Sequence, residues 1–145
     1  MPAVRRASTL LLIGFLAVAG STTDASAVTR SLSARARLVR HDHRGAFDYF
    51  KGTAQGTLPG AVDAKLQLGL KRVSGTVTFR PRGGTITLSV SGAPESASYL
   101  EGKMVVERGT GRFAHASGSA RFKATLTRRR EWVATVSVEN GRLSY

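Results

Sequence analysis

Beyond Ala27 the sequence is written largely in period two, and no stretch there carries the three-to-four spacing of an amphipathic helix. Strict alternation puts one set of side chains on each face of an extended chain, so each such run is a half-buried strand. In the first, Leu32, Ala34, Ala36 and Leu38 share a face, and Ser31, Ser33, Arg35 and Arg37 share the other. A helix would scatter those arginines around its circumference; a strand places them all in water.

The pattern recurs along the chain. Ala46 to Leu58 is a long run interrupted by Gly52 and Gly56, where a strand can bend or bulge, and its aromatics Phe47, Tyr49 and Phe50 point both ways. Pro59-Gly60 turns the chain. Val62, Ala64, Leu66, Leu68 and Leu70 then alternate with Asp63, Lys65, Gln67 and Gly69. After a reversal at Lys71-Arg72, Val73, Gly75, Val77 and Phe79 share a face; beyond Pro81-Arg82-Gly83-Gly84, so do Ile86, Leu88 and Val90. Ser91 to Ser98 reads as a looser loop around Pro94. Leu100, Met104 and Val106 form the next apolar set, followed by the glycine-rich stretch Arg108 to Lys123. Ala120, Phe122, Ala124 and Leu126 follow, then the basic turn Arg128-Arg129-Arg130, then Trp132, Ala134, Val136 and Val138. Asn140-Gly141 is a tight-turn dipeptide, which predicts that Arg142 to Tyr145 fold back as the stub of a further strand.

Strands joined by short polar turns, without crossover helices, require an antiparallel sheet. The expected fold is all-β: an eight-stranded antiparallel up-and-down β-barrel with short hairpin turns, favoured over a two-sheet sandwich by the glycines inside strands. The stretch at Arg108 to Lys123 leads into another strand instead of a helix, which argues for a corner that closes the barrel, with Phe113 plugging or lining it, and against a phosphate-cradling loop.

Upstream of the strands, Arg5-Arg6, the apolar run Leu10 to Ala19 and a small polar tract ending Ala25-Ser26-Ala27 have the order of a secretory signal peptide. The apolar run is about half the ~20 residues that a membrane-spanning helix needs. Residues 1–27 are therefore expected to be cleaved, leaving 28–145 as a single barrel domain, secreted or periplasmic and without a transmembrane segment. Two arginines and Asp24 leave with the leader, so the formal charge of +13 falls by only one. The chain has no cysteine, so an exported form must be stable without disulfides. Its basicity suits an acidic cell-envelope polymer; it equally suits a soluble β protein whose edges stay unpaired. Specific nucleic-acid binding would want aromatics interleaved with the charges, and only Tyr49, Tyr99 and Phe47 qualify.

The corner also carries a family resemblance. Val105 to Phe122, VVERGTGRFAHASGSARF, resembles the motif of the allene oxide cyclase and dirigent-like β-barrel superfamily, with matches at Gly109, Thr110, Gly111, Phe113, Ala116 and Gly118. The similarity is to exported bacterial members without an assigned reaction. It implies an eight-stranded barrel with a central apolar cavity, often assembled as a homotrimer. In the plant enzymes of that group the cavity carries polar or acidic groups that orient an oxygenated lipid or a phenoxyl intermediate. Here the alternation yields no inward Asp or Glu, and His115 stands where such motifs often have a further glycine.

The expected function is accordingly that of a binder of a small apolar ligand or a surface interaction module, with no cofactor. A cyclase- or dirigent-like enzyme and an electrostatic binder of acidic polymers are the alternatives. The expected ligand cavity comprises Leu66, Leu68, Val77, Phe79, Leu88, Met104, Val106, Phe113, Phe122 and Trp132. His115 is the candidate general base, although no orienting partner can be assigned to it. His41 and His43, alternate residues on one strand, are the candidate metal ligands, with His115 as a third; a solvated turn explains the pair equally well. Arg128, Arg129 and Arg130 could grip phosphate or carboxylate groups, or merely solvate a hairpin.

Overall fold

A computed structural model describes residues 27–145, so the expected leader, up to Ser26, lies outside the described residues. The strands are β1 (Thr29–Arg44), β2 (Phe47–Gly56), β3 (Gly60–Leu68), β4 (Val73–Arg80), β5 (Ile86–Pro94), β6 (Tyr99–Gly109), β7 (Ser117–Arg128) and β8 (Trp132–Ser144). Each pairs antiparallel with its neighbours in the chain, and β8 pairs with β1, closing an eight-stranded up-and-down barrel.

The inward faces are those given by the alternation, including Leu32 to Leu38 on β1 and Val73, Val77 and Phe79 on β4. Small and large residues share the interior: Ala36, Ala64, Ala124 and Ala134 are buried together with Phe50, Phe79 and Phe122. A small barrel is filled in this way. At Gly52 the β1 backbone comes so close that a Cβ would overlap the Arg37 carbonyl oxygen, so any larger residue would push the two strands apart.

Three local readings change. Leu70 does not continue the β3 face but sits, 99% exposed, in the turn after Leu68. Alternation in sequence persists there after the pairing that gives it meaning has ended. Pro94 is not in a loop: β5 runs through it, with Gly92 opposite Gly102 and Pro94 opposite Leu100, leaving a short reversal at 95–98. Asn140-Gly141 makes no turn. Asn140 takes a left-handed φ of 51°, and the register of β8 shifts there against both β7 and β1. That conformation serves a β-bulge as well as a hairpin turn, and β8 continues through it to Ser144.

The two ends of the barrel differ. One carries the β2–β3, β4–β5 and β6–β7 connections, together with the backbone pairing of Val28 and Tyr145. There Gly111–Phe113 forms a single 3₁₀ turn that drops Phe113 into the barrel, fully buried like Leu58, Ile86 and Leu143 near the same end. Thr110 ties this corner to the β4–β5 connection, accepting from Thr85 N at 3.1 Å and meeting Thr85 Oγ1 at 2.7 Å. The corner therefore plugs one end. The other end carries four hairpin turns, and there the inward residues Leu66, Leu68, Leu126 and Trp132 are only partly buried.

Candidate functional site at the open mouth

Inside the barrel the free space is a cavity of about 30 Å³ with a wholly apolar wall. Engineered apolar cavities that accept benzene measure about 150 Å³, so this one is water-sized. Leu66, Leu68, Val77, Phe79, Met104 and Phe122 lie on its wall. Leu88 and Phe113 are fully buried elsewhere in the packed interior, Val106 is only partly buried against the core, and Trp132 stands at the rim.

Above the cavity the mouth opens into a recess of about 240 Å³ bounded by Phe50, Leu68, Leu126, Trp132, Arg40 and Asp48. Asp48 is an inward carboxylate, buried to 8% exposure, where the alternation had suggested none. The reading failed because β2 carries large aromatics on both faces: Phe47 and Tyr49 point outward beneath Lys65, leaving Asp48 and Phe50 inside.

A buried carboxylate is tolerated when charged partners meet it, and a bulge on β1 supplies them. The β1–β2 register shifts between Arg40 and Asp42, with His41 the extra residue; Arg40 pairs with Phe50, Asp42 with Tyr49 and His43 with Asp48. An unbroken ladder would have placed Asp42 opposite Asp48, two carboxylates facing each other. The bulge instead turns Asp42 outward, where it meets Arg44 Nε at 2.7 Å, and brings His43 to Asp48. Arg40 Nη1 donates to Asp48 Oδ1 at 3.2 Å, and His43 Nδ1 lies 2.8 Å from the same oxygen.

The bulge also separates the two histidines that seemed able to share a metal. His41 lies beside the outward ring of Tyr49, centroids 6.5 Å apart, while His43 serves the inward Asp48. His115 is exposed on the corner at the plugged end, the length of the barrel away from both. Among the described residues no group of three His, Cys, Asp or Glu side chains is placed to hold a metal ion.

The basic turn divides as well. Arg128 lies over the Trp132 ring at 5.6 Å, with Arg40 also over that ring at 5.9 Å. Arg129 and Arg130 join Arg37 around a separate outer hollow of about 470 Å³ that includes Thr127, Thr135 and one carboxylate, Glu131. The sequence signal for the mouth was faint: an Asp between aromatics, and a HisAspHis run too polar to fit the alternation before it.

No protein-family model matches the sequence, and no curated protein matches it. Among solved structures, the chain is similar to that of the pterocarpan synthase dirigent protein GePTS1, with a TM-score of 0.43 and 11% identity over 99% of each chain.

Proposed function

We propose that the protein is an exported barrel that binds a small, largely apolar molecule in the recess at its open mouth, with the ligand's polar end toward Arg40 and Asp48. The observation that carries this reading is the recess itself: an apolar floor of Phe50, Leu68 and Leu126 beside one tryptophan and a convergent charged pair. Ligand sites combine apolar walls with a few placed polar groups in this way. The water-sized interior supports seeking both ligand binding and reaction steering at the mouth and not at the barrel centre.

Trp132 is the only tryptophan, so its fluorescence reports occupancy directly. Incubation with a cell-envelope small-molecule extract followed by native mass spectrometry should retain a ligand on the wild type and none on Leu126→Arg, which fills the recess. Equal retention by both would overturn the reading. Export is tested separately: N-terminal sequencing of protein recovered outside the cytoplasm should begin at Val28.

A second reading has its own observation. Arg37, Arg129 and Arg130 converge on the outer hollow with a single carboxylate among them, which suits an acidic envelope polymer. Binding to a polyanion column should weaken steeply with salt and on replacing the three arginines by glutamine. Retention indifferent to salt excludes it.

A further inference from the structure

We propose that the mouth is also a proton-transfer site, in which His43 is a general base oriented by Asp48 and acts on small apolar carbon acids held in the recess. This rests on the recess as the binding site and adds an activity to it.

The argument begins with the contact between His43 Nδ1 and Asp48 Oδ1 at 2.8 Å. A carboxylate oxygen only accepts, so the ring proton of a neutral His43 must sit on Nδ1, and its lone pair is then on Nε2. Asp48 is buried and fixed on β2, and Arg40 donates to the same Oδ1 that His43 meets. The orientation of the imidazole is therefore set by a rigid carboxylate, the arrangement that fixes the tautomer of a histidine base. The His43 side chain is 58% exposed and lies just beyond the residues that bound the recess, joined to them through Asp48, so the base meets the part of a substrate that reaches past Asp48 at the rim. The β1 bulge is what makes this pairing, and bulges recur beside sites where a side chain must be re-aimed.

The step needs no co-reactant. Nε2 takes a proton from a carbon next to an electron-withdrawing group; the C–H bond breaks as N–H forms, and the electron pair moves onto a carbonyl oxygen. Arg40, on the recess wall, is the cation available to that oxygen. In a β,γ-unsaturated carbonyl compound the electron pair also spreads to the γ-carbon, and return of the proton there completes an isomerisation and regenerates neutral His43. The substrate class is thus a small, apolar, enolisable carbonyl compound.

The probe is a nitro-substituted benzisoxazole, which reports base strength without knowledge of the natural substrate. Removal of its ring C–H proton forms a nitrile, breaks the N–O bond and leaves the electron pair on a coloured phenolate. The unreactive benzoxazole isomer, titrated against Trp132 fluorescence, measures binding alone.

Wild-type protein should release phenolate faster than free imidazole at equal concentration. His43→Gln should lose about 10²-fold or more of that rate, while benzoxazole binding is unchanged. Asp48→Asn, which disturbs a positioning residue on the recess wall, should lower kcat by a larger factor than it weakens benzoxazole binding; a merely structural role would lower both alike. His115→Gln should behave as wild type. Benzoxazole binding with no acceleration, or a His43→Gln variant at the wild-type rate, overturns the proton-transfer proposal and leaves the recess reading standing. Loss of rate in Asp48→Asn alone would make the carboxylate the base and overturn the assignment to His43. Absence of both binding and rate counts against the recess and the dyad together.

Discussion

Phe113 and Tyr145 pack ring against ring inside the plugged end, centroids 4.7 Å apart and planes inclined by 56°. Arg112 lies over both rings, at 4.6 and 5.5 Å, and Tyr145 is tied to Val28 through backbone hydrogen bonds of 3.2 and 3.3 Å. The glycine-rich corner and the last strand are thus one packing unit. Removing a buried phenylalanine costs about 3–5 kcal/mol, and an aromatic pair contributes about 0.5–1.5 kcal/mol beyond its buried area. Phe113→Ala should therefore lower the urea midpoint strongly, and a cycle with Tyr145→Ala should return a positive coupling of that size. Additive losses would mean that the two rings do not act together.

The alternation places both Leu70 and Ile86 on inward faces, and only Ile86 keeps that place. Leu70 closes the longest clean alternation in the chain yet is 99% exposed, whereas Ile86, just after a Pro-Gly turn, is 0% exposed. Leu70→Ser should change stability by less than about 0.5 kcal/mol. Ile86→Ala should cost about 2–5 kcal/mol. Equilibrium denaturation of the two variants checks both, and a large loss in Leu70→Ser would place that side chain in the core.

What the sequence made legible was whatever depends on period alone. Ala34 and Ala36 had to face the same way as Leu32, and a chain of such strands without helices had to form an antiparallel sheet, which the glycines inside strands favoured closing into a barrel over splitting into a sandwich. The site was less legible because it depends on interruptions of the period. His43 meets Asp48 only because His41 is extruded from the ladder, and no residue type at position 41 announces a bulge. Asn140 announces a left-handed residue, but whether that makes a turn or a bulge depends on whether β1 and β7 continue alongside it, as they do. His115, conspicuous beside the glycines, sits on the plugged end, while the histidine with an orienting carboxylate lay in a run read as a metal pair or a solvated turn.

Tyr99 gives a pH signature. Its hydroxyl donates to Glu101 Oε1 at 2.6 Å, and this bond, with desolvation and the negative charge of Glu101 adding to it, raises the phenol from 10.0 to about 12. Because the folded value lies above the unfolded one, the neutral phenol favours folding. That contribution is complete below pH 10 and is lost as pH rises toward 12. Ultraviolet titration of the folded protein should show one late phenol step, absent in Tyr99→Phe and moved to lower pH in Glu101→Gln. A late step that persists in Tyr99→Phe would assign it to another tyrosine.

Arg40 and Asp48 should prove strongly coupled in stability. Asp48 is nearly buried, so taking away Arg40 leaves a carboxylate with His43 as its remaining partner, whereas replacing both removes the charge that needed compensation. Arg40→Leu alone should therefore destabilise by about 1–3 kcal/mol, and the Arg40→Leu, Asp48→Asn pair should cost less than the sum of the single changes. Residues joined in one charged network show interaction energies of about 0.5–3 kcal/mol in such cycles. The coupling should fall only slightly between low and high salt, because Asp48 is shielded from solvent; the exposed Arg80–Asp63 pair should lose most of its smaller coupling over the same range. If the two pairs respond to salt alike, Asp48 is as solvated as a surface carboxylate, and the recess cannot hold His43 by a fixed charge.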